Sequence, residues 1–437
     1  MSWLRERRVA LAGLTLFTLL AGDAWRYSLS WYGWGAIIAL LGLAWLAVAV
    51  RERVDLRRVP VALGAVAAYL TLSIAWSAYP GASAIGVLVT LITGAVAIVM
   101  TQVLTLGDVV RALSAATRWI LGLSLIFELI VATLVRQPLL PFWTSYEEPY
   151  PAAFNWSRNA LLEGGRIQGI TGNANLLAFV ALVALIVLAV QWRLRQTDPG
   201  HEASLRRPAA LGWIAIALGV LVLTRSATVL IAGVGVVFVL GVVLLARRRT
   251  GRARLAIYGA AVAIMAAVAT VAVLLRDTLL DLVGRSDDLT GRLDIWSAVI
   301  GLAQERPWFG WGWVSYWAPW VEPFDDLVVI RGVTYLQAHN AWLDVWLQLG
   351  ILGLILVAVL VLTTVARTVA WAVDAPRGDA LDPAALRLAP VLLLAMLLMH
   401  SLAESRLLIE AGLLLLVWIA VASRRHELRW RRAEATP

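Results

Sequence analysis

The chain has 437 residues, of which 61% are hydrophobic and 15% are charged, whereas soluble domains hold about 45–50% apolar and roughly 25% charged residues. This composition excludes an ordinary soluble enzyme, and the absence of cysteine excludes disulfides, thiol chemistry and cysteine-based metal sites. All 37 basic residues are arginine and the net charge is +9. In a membrane protein such an excess reports topology, so we expect a lipid bilayer and no nucleic acid as partner.

Twelve stretches meet or approach the roughly 20 apolar residues that a helix needs to cross the hydrocarbon core. They lie near 9–24, 33–50, 59–76, 83–104, 113–135, 172–192, 209–224, 226–246, 254–275, 341–366, 388–403 and 407–423. The first follows "RERR" and is similar to a signal peptide, but the many later spans favour an uncleaved anchor. The sequence therefore predicts an all-α integral membrane protein with about 12 transmembrane helices.

Arginine placement predicts the orientation of these spans. With a cytoplasmic N-terminus, 26 of the 37 arginines lie on the cytoplasmic side and 11 lie outside. Cytoplasmic loops of membrane proteins carry such an excess, so we expect both termini to be cytoplasmic. The chain then divides into helices 1–9 in 1–275 with an outer loop at 136–171, an extracytoplasmic loop domain at 276–340, helices 10–12 in 341–423, and a basic cytoplasmic tail at 424–437.

The loop domain contains a predicted amphipathic helix at 291–305. Its apolar residues recur at helical spacing and are Leu293, Trp296, Val299, Ile300 and Ala303. We expect this helix to lie on the membrane surface. The following run, "RPWFGWGWVSYWAPW", holds five of the 22 tryptophans, and it suits either an interfacial aromatic belt or a surface on which sugar rings stack.

Two short hairpins place ionisable residues near the outer face. The arm 209–224 has 16 residues, or about 24 Å at 1.5 Å per residue, which is shorter than a core of about 30 Å. Arg225 should therefore lie below the outer surface in a cavity, unless it snorkels to lipid phosphates. The second hairpin carries Glu404 and Arg406 at its turn, with His400 one turn earlier. Glu404 and Arg406 form either a mutual ion pair or a functional site.

Further polar residues lie at the same side of the predicted bundle. Arg292 lies near the start of the amphipathic helix, where a guanidinium and a helix N-terminus suit an anion, although a solvated arginine is the alternative. Arg166, Asn173 and Asn175 lie at the outer end of span six. The asparagines either cap the helix or contact sugar hydroxyls, and we expect capping alone for one of them.

Four histidines are present, of which His201 and His426 lie in cytoplasmic segments. His339 and Asn340 open span ten at the outer face. A lone histidine at a helix start is usually structural. Here the topology brings His339 to the same side of the membrane as Arg225, Arg292 and Glu404, which favours a functional role.

Seven motifs together resemble the O-antigen ligase and polymerase superfamily of polytopic glycosyltransferases. They are "LSIAWSAYPGAS" (72–83), "GITGNANLLAF" (169–179), "LTRSAT" (223–228), "GRSDDLTGRLDIW" (284–296), "ERPWFGWGW" (305–313), "AHNAWLDVWLQLGILG" (338–353) and "HSLAESRLL" (400–408). Each motif alone is weak. Their order and spacing are specific, above all the succession of "GR…W" and "HN…L…LG" in one outer loop.

The resemblance implies a GT-C-like fold in the bacterial cytoplasmic (inner) membrane, with an active site that faces outward. The implied donor is a glycan on polyprenyl (undecaprenyl) pyrophosphate, and the implied acceptor is a hydroxyl of a lipid, cell-wall component or glycan. No metal, nucleotide sugar or other cofactor is implied.

The resemblance also assigns roles to residues. Arg225 and Arg292 would bind the pyrophosphate and stabilise it as the leaving group, and His339 would be the general base, since imidazole changes protonation near neutral pH. Substrate contacts would come from Arg166, Asn173, Asn175, Asn340, His400, Glu404 and Arg406. The family often has Ser-Arg-Gly where this chain has Thr224, Arg225 and Ser226, so the local turn can differ.

Several functions fit these motifs. A glycan ligase is favoured over a polymerase of the same superfamily and over a protein O-oligosaccharyltransferase, which differ only in acceptor. A lipid-linked oligosaccharide transporter would need charges along a path through the membrane, and the mid-span positions are almost free of charge. A metal-dependent enzyme would use paired carboxylates such as "SDD" (286–288) or "FDD" (324–326), which are more typical of solvated turns.

Overall fold

The computed structural model describes residues 2–275, 286–374 and 382–435, and within these ranges the protein is almost entirely helical. The α-helices are α1 (Ser2–Leu20), α2 (Gly22–Glu52), α3 (Val61–Leu72), α4 (Pro80–Val103), α5 (Leu106–Ile130), α6 (Ala174–Thr197), α7 (Arg207–Thr224), α8 (Ala227–Ala246), α9 (Gly251–Leu274), α10 (Ser286–Glu305), α11 (Ala341–Asp374), α12 (Leu388–Ser401) and α13 (Glu410–Ala435). A π-helical turn, Val131–Val135, extends α5. One antiparallel hairpin, β1 (Val329–Ile330) and β2 (Val333–Thr334), was not predicted.

The predicted spans fall on twelve of these helices, and the predicted amphipathic segment falls on α10. Among the described residues, eight helices are long and apolar enough to cross a membrane, namely α2, α4, α5, α6, α7, α8, α9 and α11. By contrast α3 and α12 are shorter apolar helices. A multi-pass helical membrane protein is thus confirmed, while the count of twelve crossings stays a prediction.

At one end of the bundle, polar contacts join the N-terminal parts of some helices and the C-terminal parts of others. Arg5 in α1 pairs with Asp108 at the start of α5 at 2.8 Å. Arg425 in α13 donates to the carbonyl of Thr101, near the end of α4, at 2.5 Å. The sequence places most arginines at these same termini, because every second helix connection is basic. The opposite end of the bundle carries the candidate site.

Helix α11 is interrupted at Gly350, where the backbone takes φ 67° and ψ −172°. The preceding loop supplies partners for the broken turn: Trp311 N–H donates to Leu347 at 3.0 Å, Gly312 N–H to Gln348 at 2.9 Å, and Ile351 N–H donates to Pro307 at 2.8 Å. A helix break needs such partners because its orphaned backbone groups are otherwise unpaired. The span predicted over 341–366 lies within α11, and the break at Gly350 was not predicted.

The apolar face of α10 packs on protein rather than on the membrane surface. Ile295, Val299 and Ala303 are buried in a small core of the outer loop, together with Trp317 and Phe324. By contrast Leu293, which the helical spacing assigned to the apolar face, is exposed. The expectation that α10 lies on the membrane through this face is wrong, since the loop domain has its own apolar core.

The tryptophan-rich run divides between core and surface. Trp313 is buried and donates from Nε1 to Thr90 at 2.9 Å, and Trp317 stacks on Phe324 with ring centroids 5.4 Å apart. Trp308 and Trp320 are exposed. The run is therefore neither wholly a belt nor wholly a stacking surface.

A buried carboxylate anchors the outer loop 136–171. Glu128, near the end of α5, accepts hydrogen bonds from the backbone N–H groups of Gln168 at 2.9 Å and Gly169 at 2.7 Å. Its second oxygen accepts from the Ser157 hydroxyl at 2.9 Å. The loop is thereby fixed directly before α6, whose N-terminus lies at the candidate site.

Candidate functional site

The imidazole of His339 lies against a carboxylate from the second hairpin. Nδ1 of His339 is 3.0 Å from Oε2 of Glu404. The backbone of His339 is left-handed, with φ 49°, a conformation that costs a non-glycine residue about 1–2 kcal/mol. This turn exists because Asn340 caps α11, accepting from the N–H groups of Trp342 at 3.0 Å and Leu343 at 3.3 Å.

Two further side chains, Asp344 and Ser405, hold the turn on either side of His339. Asp344 is 4% exposed and accepts from Ala338 N–H at 3.1 Å. Asn340 N–H donates to the Ser405 hydroxyl at 3.2 Å. Since Ser405 follows Glu404 in sequence, the same contacts fix the imidazole and the carboxylate relative to each other.

Glu404 is the centre of the cluster. Its side chain is 3% exposed, and Oε1 accepts from Asn175 Nδ2 at 3.1 Å and pairs with Arg292 at 3.4 Å. Burial by itself raises the pKa of Glu404, but the positive potential of His339, His400 and Arg292 outweighs it, so the net pKa is lowered from 4.5. The carboxylate is therefore ionised at neutral pH and must accept the proton of His339 Nδ1.

Asn175 connects this carboxylate to the hairpin that carries Arg225. Its amide oxygen accepts from Arg166 at 2.8 Å and from the Ser226 hydroxyl at 2.9 Å. Arg166 also donates from Nε to the carbonyl of Thr224 at 3.0 Å. The residues on either side of Arg225 are thus tied, through one amide, to Glu404.

Arg225 itself ends α7 in a left-handed conformation, with φ 48°. Its side chain is exposed, and its guanidinium lies close to Gly164 in the outer loop, where an added Cβ would be 3.9 Å from it. The sequence-based expectation that the two hairpin tips converge agrees with this geometry. Arg292 and His339 both contact Glu404, and Arg225 is linked to this set through its chain neighbours Thr224 and Ser226.

Three of the predicted substrate-binding residues have structural partners. Asn173 caps α6, accepting from the N–H groups of Asn175 at 2.8 Å and Leu176 at 3.3 Å, and Asn340 caps α11. His400 is 2% exposed and packs on Phe179, with ring centroids 4.6 Å apart. Substrate contact by these three remains a prediction.

The hypothesis of an ion pair between Glu404 and Arg406 is wrong. Arg406 pairs with Glu410 at 2.6 Å, while Glu404 faces His339 and Arg292. Arg26, at the outer end of α2, forms a second and buried ion pair with Glu410. The two hairpin glutamates therefore serve two different clusters.

Sequence reasoning missed Asp344, Ser405, Arg26 and Glu410. Each of the three charged residues stands at the edge of an apolar run, where an ionisable side chain is costly and therefore informative. This signal was present in "NAWLDVW", "GDAWRY" and "LLIEAG". For the metal alternative, Asp325 and Asp326 are exposed in a turn, and the side chains of 286–288 lie outside the described residues.

The arrangement can accept a proton and hold an anion. Because Nδ1 of His339 donates to Glu404, the neutral imidazole has its free lone pair on Nε2, which suits a base. Arg225 and Arg292 add positive charge on the same side. A base beside two guanidiniums can deprotonate a hydroxyl while a phosphate group leaves.

The comparison with protein families agrees with the motifs. A model of the O-antigen ligase family matches residues 210–358, about a third of the chain, and this segment includes Arg225, Arg292 and His339. A search of curated proteins finds no match. Over residues 210–358 the chain is therefore similar to the O-antigen ligase family, in agreement with the motifs and the helical membrane fold.

Proposed function

We propose that this protein is an O-antigen-ligase-like glycan ligase of the bacterial cytoplasmic membrane. It would move a glycan from polyprenyl pyrophosphate to an acceptor hydroxyl at the outer face. The observation that supports this most is the contact of His339 with Glu404, which Asn175 joins to the hairpin of Arg225. The arginine excess at the opposite end of the bundle supports a site that faces outward.

In the proposed reaction His339 Nε2 takes the proton of the acceptor hydroxyl, whose oxygen attacks the anomeric carbon of the donor sugar. The bond from this carbon to the pyrophosphate oxygen breaks, and its electron pair leaves with polyprenyl pyrophosphate. Attack opposite the leaving group inverts the anomeric centre. Arg225 and Arg292 stabilise the charge that develops on the pyrophosphate, and Glu404 stabilises the imidazolium.

The alternative from the same superfamily is a polymerase, in which the acceptor is itself a polyprenyl-linked glycan. The proposed chemistry at His339 is identical, so the acceptor alone distinguishes the two. The predicted twelve-span layout and the compact outer loop favour the ligase. The metal-free reaction and the GT-C-like fold are proposed for the ligase and the polymerase alike.

Reconstitution of the purified protein with a polyprenyl-pyrophosphate glycan and candidate acceptors tests this function. We expect His339→Ala to lower transfer by at least about 100-fold, since general bases contribute about 10²–10⁴-fold. Arg225→Ala should lower it as well, whereas Arg158→Ala, at an exposed arginine of the outer loop, should leave it unchanged.

The outcomes separate the alternatives. Full transfer by His339→Ala would overturn the general-base role. Transfer of one preassembled block to an acceptor without polyprenyl identifies a ligase, and a ladder of lengthening polyprenyl-linked products identifies a polymerase. Complete loss of transfer in EDTA, restored by a metal ion, would overturn the metal-free reaction.

A further inference from the structure

A cleft on the outer part of the bundle lies apart from the candidate active site. This Trp308 cleft has a volume of about 450 Å³ and is lined by Trp76, Arg306, Pro307, Trp308, Phe309 and Gly310. Its wall is apolar except for Arg306. Trp76 closes one side, donating from Nε1 to the carbonyl of Phe309 at 3.0 Å.

The cleft lies where lipid meets the protein. Helix α3 has 12 residues, or about 18 Å, which is shorter than a hydrocarbon core of about 30 Å. Beyond its end the surface is formed by Trp308 and Phe309, which are 60% and 53% exposed. Exposed aromatic rings at this level are typical of the membrane–water interface.

An apolar track leads from the cleft along α11. Leu352 N–H donates to the carbonyl of Trp308 at 3.3 Å, and the side chains of Leu352, Ile355, Val359 and Leu362 are exposed on one helical face. Their spacing of three and four residues aligns them along the helix. The track is suited to an acyl chain whose head group lies at Trp308.

Arg306 supplies the charge at the top of this track. Its guanidinium lies over the ring of Trp311, with Cζ 4.1 Å from the centroid, and no carboxylate among the described residues pairs with it. Stacking uses the face of a guanidinium, so its in-plane N–H groups can still donate to a phosphate.

We propose that the Trp308 cleft binds an anionic phospholipid of the outer leaflet, with the head-group phosphate on Arg306 and one acyl chain along α11. A single arginine matches a single phosphate, whereas the pyrophosphate of the proposed donor would meet several arginines at the active site. Arg306 is 14 residues from Arg292 along α10, or about 21 Å, so a lipid here lies away from the reacting atoms.

The bound lipid would also brace the break in α11. The cleft residues Pro307 and Trp308 supply the carbonyls that accept from Ile351 and Leu352 beyond Gly350. A lipid that covers this segment favours the conformation in which these bonds form. Binding of the lipid should therefore raise the midpoint of thermal unfolding.

Native mass spectrometry of the full chain released from detergent tests the proposal, with phosphatidylglycerol and phosphatidylcholine as probes. We expect the wild type to retain one phosphatidylglycerol at concentrations where phosphatidylcholine dissociates. Arg306→Gln should weaken phosphatidylglycerol binding about fivefold to tenfold, because a phosphate–arginine contact is lost. Trp308→Ala should weaken both lipids, and Arg158→Gln should change neither.

Thermal unfolding provides a second test, which does not require the lipid to stay bound in the mass spectrometer. Phosphatidylglycerol should raise the midpoint of thermal unfolding of the wild type and of Arg158→Gln, and it should do so less for Arg306→Gln. Equal retention by wild type and Arg306→Gln would overturn the site, as would an equal loss in Arg158→Gln. Displacement of phosphatidylglycerol by polyprenyl phosphate at equal concentration would overturn the phospholipid as occupant and assign the cleft to the donor chain.

Discussion

His339 occupies a costly backbone conformation, and buried polar groups hold it there. A left-handed non-glycine residue persists only where its surroundings determine it. Asp344 bonds the residue before His339, and Ser405 bonds the residue after it. Because Ser405 directly follows Glu404, its hydrogen bond with Asn340 holds the His339 turn against the turn that carries the carboxylate.

Glu404 should control both turnover and acid stability. Glu404→Gln keeps the size and one acceptor but removes the charge that orients the imidazole, so we expect transfer to fall by about 100-fold. Because the pKa of Glu404 is lowered in the folded protein, its ionised form contributes stability above pH 4.5, and this contribution is lost as the pH falls through the lowered value. The variant should therefore lose part of the pH dependence of unfolding on the acid side.

Thermal unfolding of the solubilised protein between pH 7 and pH 3 measures this effect. Glu163→Gln is the matched control, since Glu163 is exposed on the same outer loop. If the unfolding midpoint of Glu404→Gln depended on pH as that of the wild type does, the buried, ionised environment assigned to Glu404 would be contradicted, whatever the effect on transfer.

At the scale of elements, α11 and the loop before it behave as one unit. The loop 307–312 completes the broken turn at Gly350, and the Tyr69 hydroxyl of α3 donates to the carbonyl of Leu349 at 3.1 Å. The break separates the outer segment Ala341–Leu349, which opens at His339, from the membrane-spanning remainder. The position of the candidate base therefore depends on a loop that lies about 30 residues earlier in the chain.

Substitution of Gly350 should destabilise the protein strongly. In Gly350→Ala the added Cβ would overlap with the carbonyl of Trp308, at a backbone conformation that is unfavourable for alanine. We expect a loss of about 2–5 kcal/mol from strain and overpacking together. Gly241→Ala in α8 is the control, since nothing lies within 4 Å of its added Cβ. Unfolding midpoints that match in both variants would show that the break tolerates a side chain.

The same element shows how far sequence reasoning reaches. Apolar runs were enough to predict twelve of the helices, because a span needs a run of apolar residues, and helical spacing predicted α10. The break at Gly350 was not predictable, since it depends on hydrogen bonds from a distant loop. At the site, topology alone brought His339, Arg292 and Glu404 to one side. The link through Asn175 and the support from Asp344 depend on helix rotation, which a single sequence does not determine.

At the scale of the molecule, the two ends of the bundle differ in chemistry. One end holds many arginines on its helix connections, and its buried carboxylates Asp108 and Asp382 pair with Arg5 and Arg429. The other end buries its charges in two clusters around Glu404 and Glu410. Buried charges are costly unless fully paired, and both ends contain them, so burial alone does not distinguish the ends. The second end differs in that the carboxylate of Glu404 lies 3.0 Å from the imidazole of His339.

The absence of cysteine makes the proposed orientation directly measurable. Ala153→Cys places a thiol in the outer loop, and Thr250→Cys places one between α8 and α9, both at exposed positions. In intact spheroplasts a membrane-impermeant maleimide should label Ala153→Cys at once and Thr250→Cys only after permeabilisation. The reverse labelling pattern would show that the orientation is inverted and that the site faces the cytoplasm.

The buried ion pair between Arg26 and Glu410 joins residues that are 384 positions apart. During synthesis Arg26 leaves the ribosome early and Glu410 almost last. Glu404 emerges six residues before Glu410, so both clusters of the outer end are completed only when the final hairpin inserts. A chain released before that point has His339 without its carboxylate, and under the proposed function it would be inactive.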